Sequence, residues 1–291
     1  MLDHDQIARF TIEHTPIRGQ MVSLDASWQK CLQNSELSVP ARNLLGDALA
    51  AVTLLGSTLK LDGKITLQIR GQGAIHLLVA QATSQRSIRG MVRQSAEIKD
   101  TSIPLNEIFQ ADKIVITIDS GHGKPYQGIV PLIGHSLAQA LESYFDQSEQ
   151  LPTRLWLASD QSSASGLLLQ KLPGELQDED SWNRVTHLAS TITRQELLQL
   201  SERELLKRLF HEEVVRLYDS EPVRFECSCS RERTQAMIKS LGHDEAESIL
   251  EEQGTIEVNC EFCNASYVFD PIDIEQLFQA DTEFPTNLTR H

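Results

Sequence analysis

Cys227-Ser228-Cys229 and Cys260-Glu261-Phe262-Cys263 are the two short stretches that decide how the C-terminal region folds. They hold four of the chain's five cysteines and are separated by thirty residues. Four thiolates in two tight pairs are the ligand set of a closed tetrahedral zinc site, because structural zinc takes four soft ligands and leaves no position open. An ordinary zinc ribbon uses Cys-x-x-Cys twice, so the Cys-x-Cys at 227 and 229 is unusual. The pattern leaves open whether these thiols form a permanent metal site or a redox switch.

Zinc explains the four cysteines better than the alternatives do. Buried thiols that act as small apolar groups would have apolar neighbours, but the neighbours here are polar. They are Arg224, Glu226, Arg231, Glu232 and Glu261. Iron–sulfur motifs usually draw three cysteines from one loop. The fifth cysteine, Cys31, lies apart from the others and is predicted to be an ordinary thiol.

Composition limits the compartment and the partners. No run of about 18 apolar residues could span a membrane, and the acidic start of the chain does not fit a secretory signal. We therefore expect a cytoplasmic protein, where thiols stay reduced and paired cysteines bind metal or act in redox chemistry. The formal net charge is −15, and Glu221 to Glu275 contains 13 acidic and 4 basic residues. Nucleic-acid binding needs clustered basic residues, so nucleic acid is not an expected partner.

Residues 1–173 predict an α+β domain built mainly from antiparallel hairpins, because strands follow strands with few helices between them. A buried helix is predicted over Ala41–Leu59, with Pro40 at its start. A second helix is predicted over Ser136–Phe145. Asp62-Gly63 is typical of a hairpin turn and would join a strand at Thr58–Leu61 to the next one. The remaining predicted strands are Ile7–Glu13, Arg18–Leu24, Lys64–Arg70, Ala74–Thr83, Ser87–Gln94, Ile114–Asp119, Tyr126–Pro131, Leu155–Ala158 and Gly166–Leu172.

Residues 174–221 predict a helical linker, with helices extending from about Ser181 to Asp219. Thr193–Glu196 and Ser201–Glu204 are capping-box patterns, and each starts an apolar-periodic segment. The apolar stripe is wide and the opposite face is highly charged. Such a segment cannot form a core alone, so it must lie on another surface.

Residues 222–291 predict a small zinc-binding domain that has little apolar material of its own. Helices are expected at Thr234–Leu241, Asp244–Gly254 and Ile272–Phe278, and paired strands at Thr255–Asn259 and Ala265–Phe269. A unit this small is short of core and would depend on its metal for stability.

Other motifs do not indicate enzyme chemistry. Gly71-Gln72-Gly73 and Gly121-His122-Gly123 both stand between predicted strands and lack the residues that complete a nucleotide-binding motif. His122 and His135 have neither a nucleophile elbow nor a His-Glu-x-x-His pattern beside them. We expect no catalytic residues and no enzyme activity.

Arg224-Phe225-Glu226-Cys227-Ser228-Cys229-Ser230, followed by Cys-x-x-Cys, resembles the motif of the 33-kilodalton heat-shock, redox-regulated chaperone family. Three N-terminal stretches are similar to the same family, so the resemblance covers essentially the full length. They are Leu67–Gly73, Ile88–Gly90 and Tyr126–Val130.

The resemblance implies an ATP-independent holdase that is inactive when it is reduced and holds one Zn²⁺ per chain on Cys227, Cys229, Cys260 and Cys263. It implies that oxidant forms Cys227–Cys229 and Cys260–Cys263 disulfides, releases zinc and unfolds the C-terminal and linker regions. The oxidised protein would be a homodimer that binds unfolded client proteins. A constitutive zinc-ribbon adaptor is the alternative function, and a thiol oxidoreductase is a weaker third, because Cys-x-x-Cys outside a thioredoxin-like setting is poor evidence for one.

Overall fold

The computed structural model describes residues 5–33, 35–58, 63–98, 103–173 and 180–279. The chain divides into two units, residues 1–226 and 227–291, and each is described by itself. Among the residues that the structure describes, no helix is both long enough and apolar enough to cross a membrane.

The first unit is a mixture of strands and helices. Its strands are β1 (Gln6–Ile12), β2 (Ile17–Leu24), β3 (Lys64–Arg70), β4 (Ile75–Thr83), β5 (Ser87–Gln94), β6 (Lys113–Asp119), β7 (Tyr126–Pro131), β8 (Thr153–Ser159), β9 (Ala164–Lys171), β10 (Val215–Leu217), β11 (Glu221–Pro222) and β12 (Arg224–Phe225). Its helices are α1 (Ala26–Leu32), α2 (Val39–Thr58), α3 (Leu105–Phe109), α4 (Leu137–Tyr144), α5 (Ser181–Ala189), α6 (Arg194–Gln199) and α7 (Glu202–Leu209). A short π-helical turn, Phe145–Glu149, follows α4.

The strands form two sheets, and the predicted antiparallel α+β architecture is confirmed. One sheet has the order β10-β1-β2-β9-β8, with β11 also paired to β1. The other has the order β12-β5-β4-β3-β6-β7. Every pairing in both sheets is antiparallel except the short one between β12 and β5. Five of the antiparallel pairings are hairpins between consecutive strands, which need only short turns.

Helix α2 forms the centre of the first unit and contacts strands of both sheets. Its Ala- and Leu-rich sequence favours a helix, and Pro40 lies in the first turn, where its missing N–H has no helical partner in any case. The predicted helix is therefore confirmed. The predicted strand at Thr58–Leu61 is wrong at Thr58, which ends α2, and residues 59–62 lie outside the described residues.

Helices α5, α6 and α7 pack on the sheet that contains β1, β2, β8 and β9, forming a cluster that we call the linker–sheet cluster. Its buried residues from the strands are Phe10, Ile12, Ile17, Met21, Ala158, Leu167 and Leu169. Its buried residues from the linker segment are Val185, Ala189, Leu197, Leu205, Leu206, Leu209 and Phe210. The apolar stripe predicted from sequence thus covers a sheet face, and both predicted capping boxes are present at Thr193 and Ser201.

The prediction that helix continues to Asp219 is wrong. Helix α7 ends at Leu209, and Val215–Leu217 is strand β10, paired with Phe10–Ile12. A β-branched residue and an available sheet edge favour a strand there over another helical turn. Strands β11 and β12 extend the first unit to residue 226. The functional division into 1–173, 174–221 and 222–291 stays a prediction.

The second unit contains three helices and one hairpin among its described residues. They are α8 (Arg231–Leu241), α9 (His243–Gln253), β13 (Ile256–Asn259), β14 (Ser266–Phe269) and α10 (Pro271–Gln279). Its core is small, with the buried residues Ile238, Ala246, Ile256, Phe269 and Ile274. The helices and the hairpin predicted here are confirmed, with ends that differ by a few residues.

Candidate metal centre

The four cysteines of the two motifs lie on two loops of the second unit. Cys227 and Cys229 precede α8, whose first turn is capped by the Ser230 side chain accepting a hydrogen bond from the backbone N–H of Arg233. Cys260 follows β13 directly, and Cys263 lies in the turn that leads to β14. These loops present the thiols from the ends of regular elements, which fixes their backbone positions.

Backbone hydrogen bonds hold the Cys260–Cys263 loop closed. The N–H of Cys260 donates to the carbonyl of Ala265 at 2.9 Å, and the N–H of Asn264 donates to the carbonyl of Cys260 at 2.7 Å. Asn264 takes a left-handed conformation with φ of 54°, which Asn tolerates better than most residues. The turn therefore places both sulfurs on one side of the hairpin end.

The four sulfur atoms converge. All of them lie within 4.8 Å of one another. Two short contacts join the motifs: Cys227 Sγ is 3.5 Å from Cys260 Sγ, and Cys229 Sγ is 3.3 Å from Cys263 Sγ. A tetrahedral Zn²⁺ with Zn–S bonds of about 2.3 Å needs sulfurs about 3.8 Å apart. The geometry and the all-thiol donor set therefore fit one tetrahedral, thiolate-preferring metal ion.

Hydrogen bonds to the Cys229 sulfur lower its pKa and so favour its thiolate form. Partial burial raises the pKa of Cys229, but the hydroxyl of Tyr267, which donates to Cys229 Sγ at 3.2 Å, and the neighbouring thiols outweigh it and lower this pKa to about 7. The same bond raises the pKa of Tyr267 to about 12, because the phenol is needed as a donor. Burial raises the pKa of Cys227 and of Cys263. A cation at the centre would reverse these two shifts, since a bound metal deprotonates its thiols.

Two arginines at the start of α8 bind the chain near the cluster: Arg231, predicted above only as a polar neighbour of the cysteines, and Arg233. Arg231 donates to the carbonyl of Val268 at 2.9 Å and to Asp273 Oδ2 at 2.7 Å, and its guanidinium lies 4.3 Å from the centre of the Phe269 ring. Arg233 donates to the carbonyl of Ser228 at 2.6 Å, inside the first cysteine motif. The only sequence signal for them was their position directly after Cys-x-Cys. Arg231 connects α8 to the hairpin and to α10, whereas Arg233 holds the Cys-x-Cys loop against α8.

The remaining candidate residues do not join a site. Cys31 is buried in the core of the first unit. Gly71 and Gly73 are packing glycines, because a Cβ on either would meet the backbone oxygens of Phe109 or Ile108. The Gly121–Gly123 turn and His122 are exposed. These positions support the prediction that the Gly-x-Gly stretches are turns.

A profile of the Hsp33 protein family matches residues 5–270 of this chain. The chain belongs to the Hsp33 family. Curated relatives carry the name 33 kDa chaperonin. The protein from Nitrosococcus oceani is 47% identical over 291 residues, with both chains fully covered. The protein from Methylobacillus flagellatus is 45% identical, with 99% of each chain covered. The protein from Pseudomonas aeruginosa is 44% identical over 297 residues, again with both chains fully covered.

The fold of this Hsp33 family member also agrees with a solved structure. The crystal structure of the 33 kDa chaperonin from Thermotoga maritima matches with a TM-score of 0.81, covering 97% of this chain and 100% of that one. The sequences are 24% identical, so this likeness speaks for the fold. The family and the names of the relatives identify the protein as a chaperone.

Proposed function

We propose that this chaperone is an ATP-independent holdase that is switched on by oxidation. In the reduced state it holds one Zn²⁺ and is inactive. In the oxidised state it binds unfolding client proteins and prevents their aggregation. The observation that carries the proposal is the convergence of four thiols within 4.8 Å in a unit that has only a small core among its described residues.

Cys227, Cys229, Cys260 and Cys263 would hold the zinc, which would cross-link the loop before α8 to the loop between β13 and β14. Structural zinc contributes folding free energy directly, and small zinc domains unfold without it. The metal would therefore supply the stability that the small core formed by the described residues of the second unit does not. Loss of the thiolates as ligands would unfold this unit.

Oxidation removes the ligands in two balanced steps. Each thiol pair reacts with one hydrogen peroxide, which takes two electrons and is reduced to two waters while one sulfur–sulfur bond forms. The four thiols therefore consume two peroxides. The family resemblance supports Cys227–Cys229 and Cys260–Cys263 as the pairs. Sulfur contacts of 3.5 and 3.3 Å join the two motifs, so disulfides between the motifs are the alternative pairing. Either pairing requires the loops to move as the metal leaves, because a disulfide bond is about 2.05 Å long. Peptide mapping of the oxidised protein distinguishes the two pairings.

The linker–sheet cluster provides the surface for client binding. Helices α5, α6 and α7 cover apolar residues of four strands, and both sides of that contact are apolar. Release of these helices would expose a contiguous apolar patch, which binders of unfolded chains require. The exposed patches also account for a homodimer of the oxidised form. We place the protein in the cytoplasm, with unfolded proteins rather than nucleic acid as its partners.

The test follows zinc release and chaperone activity together. Zinc-loaded protein is treated with hydrogen peroxide under mildly destabilising warmth, and a metal-binding dye and the light scattering of an aggregating client are recorded. We expect zinc release to precede suppression of aggregation. Equal suppression by the reduced, zinc-loaded protein would instead favour a constitutive adaptor with a purely structural zinc. The Cys31→Ser variant is the matched control and should switch normally, because Cys31 lies in the other unit.

A further inference from the structure

Tyr267 joins the two cysteine motifs by a direct hydrogen bond. It lies on β14, in the hairpin that carries Cys260 and Cys263 at its end. Its hydroxyl nevertheless donates to the sulfur of Cys229 at 3.2 Å, and Cys229 belongs to the other motif, 38 residues earlier in the chain. The hydrogen bond therefore connects the hairpin to the Cys-x-Cys loop at the sulfur itself.

The hairpin fixes the position of the Tyr267 side chain. Tyr267 pairs with Val258 of β13, and alternate residues of a strand point to the same face of the sheet. Phe269, two residues further on, is fully buried in the small core of the second unit, and Tyr267 packs against the same core. The ring of Tyr267 is therefore anchored among apolar side chains while its hydroxyl binds a polar partner, which is the usual arrangement of a partly buried tyrosine.

Two other sulfurs of the cluster receive hydrogen bonds from the backbone. Cys227 Sγ accepts one from the N–H of Cys229, and Cys263 Sγ accepts one from the N–H of Ala265. Backbone donors of this kind are supplied by every residue except proline. The hydroxyl donor to Cys229 comes instead from a side chain outside both motifs, so it depends on the residue type at position 267.

A hydrogen bond to a thiolate changes its chemistry in two ways. Four thiolates outweigh the charge of one divalent zinc ion, so a donor that takes up part of the excess negative charge stabilises the metal-bound form and orients the ligand. The same bond engages a lone pair of the sulfur and makes the thiolate less basic, and nucleophilicity falls as basicity falls. Tyr267 would thus hold Cys229 as a ligand and slow its attack on an oxidant.

We propose, resting on the function proposed above, that Tyr267 is a positioning residue of the metal centre whose hydroxyl sets the sensitivity of Cys229 to oxidant. In the step that it slows, the Cys229 thiolate donates an electron pair to one oxygen of hydrogen peroxide, the oxygen–oxygen bond breaks, and the other oxygen leaves as hydroxide. The sulfur becomes a sulfenic acid. A second cysteine thiol then displaces water from it, and the disulfide forms.

Tyr267→Phe is the test variant, because it removes the hydroxyl and keeps the ring that packs on the core. The full-length parent and variant are first loaded with Co²⁺, whose sulfur-to-cobalt charge-transfer absorption reports the energy of the sulfur lone pairs. We expect the band of the variant to move to longer wavelength, since these lone pairs rise in energy when a hydrogen bond is lost. Competition with a chelator should show a zinc affinity that is about tenfold lower or more.

The rate of oxidation is measured separately from the affinity. Excess Zn²⁺ keeps the centre loaded in both proteins, and samples taken after addition of hydrogen peroxide are alkylated and analysed by mass spectrometry of the peptide that contains Cys227 and Cys229. We expect oxidation to be about threefold to tenfold faster in Tyr267→Phe, because about half of the lost hydrogen-bond free energy appears in the reactivity of the sulfur.

Ser266→Ala is the matched control. Ser266 is the neighbouring residue on β14, and its exposed hydroxyl donates to Glu257 of β13 at 2.8 Å rather than to a sulfur. This variant removes a hydroxyl and a hydrogen bond from the same hairpin. It should leave the cobalt band, the zinc affinity and the rate of oxidation unchanged.

An unchanged cobalt band and an unchanged rate of oxidation in Tyr267→Phe would overturn the inference, and so would equal changes in Tyr267→Phe and Ser266→Ala. If the parent loses zinc and gains chaperone activity on oxidation, either result would overturn this inference alone. A parent protein that binds no zinc, or that keeps its zinc after its thiols are oxidised, would overturn the proposed function and this inference with it.

Discussion

The two units of this chain are stabilised in different ways. The first unit has a long buried helix between two sheets and a second apolar cluster beneath its linker helices. The second unit buries only Ile238, Ala246, Ile256, Phe269 and Ile274 among its described residues, and its four thiols converge at one end. The proposed function uses this difference. A metal cross-link would stabilise the second unit, and oxidation of its thiols would unfold that unit and leave the first one folded.

The linker helices hold an intermediate position in this comparison. They belong to the first unit and bury apolar residues on its sheet, yet their outer face is highly charged and each helix is short. Short helices are marginal alone and depend on tertiary packing. The linker should therefore be the least stable part of the first unit.

Removal of zinc should have the largest effect. We expect a chelator to unfold residues 227–279 while the first unit stays folded, because structural zinc supplies about 10–16 kcal/mol in small zinc domains. Nuclear magnetic resonance would show the loss of dispersed amide signals from the second unit alone. All three tryptophans, Trp28, Trp156 and Trp182, lie in the first unit, so their fluorescence is the internal control. Dispersed signals from β13 and β14 in the chelated protein would contradict the comparison.

A substitution that creates a cavity in the linker–sheet cluster should destabilise the packing of the linker helices and leave the four cysteines unchanged. Leu205 is fully buried, and Leu205→Ala should lower the free energy of unfolding by about 2–5 kcal/mol. Urea unfolding followed by tryptophan fluorescence measures this, since Trp156 and Trp182 pack against the cluster. Val214→Ala is the control and should change stability by less than about 0.5 kcal/mol, because Val214 is 60% exposed. Equal effects of the two variants would show that the linker packing is not stabilising.

The contact between the linker and α2 should be sensitive to pH. Burial raises the pKa of Asp47 to about 6. A hydrogen bond from Ser159 and the positive charge of Arg194 on α6 lower this pKa but only partly offset the effect of burial. The unfolded carboxyl has a pKa near 3.9, so the native state binds the proton more tightly and stability falls as pH rises from about 4 to 6. This decrease should amount to about 2–3 kcal/mol. Asp47→Asn should remove it, and an unchanged pH slope in that variant would assign the titration to another group.

Substitution of Glu221 should have the smallest effect. Glu221 lies near the end of the first unit, shortly before the second unit begins in the sequence. Its carboxylate pairs with Arg9 at 2.8 Å and also with Arg86. Both pairs are partly exposed, so Glu221→Gln should lower the stability of the first unit by about 1 kcal/mol. Thermal unfolding at low and high salt measures this, and the loss should shrink in salt. Glu212→Gln, at a carboxylate whose side chain is 82% exposed, is the control and should have no measurable effect.

The features that could be predicted from sequence were those carried by local patterns. The cysteine spacing, the capping boxes at Thr193 and Ser201 and the apolar stripe of the linker all depend on residues close together in the chain. Strand β10 could not be found this way, because three residues become a strand only by pairing with Phe10–Ile12, about two hundred positions earlier. The contacts of Arg231 could not be predicted for the same reason, since its partners Val268 and Asp273 are distant in sequence.

Hydrogen exchange measured by mass spectrometry before and after peroxide treatment tests the central claim most directly. In the reduced, zinc-loaded protein we expect protection in both units. After oxidation of the four thiols we expect protection to be lost over Arg231–Gln279 and over Ser181–Leu209, and to be retained in β2, β9 and α2. Unchanged protection of β13 and β14 in protein whose four thiols are fully oxidised would contradict the account.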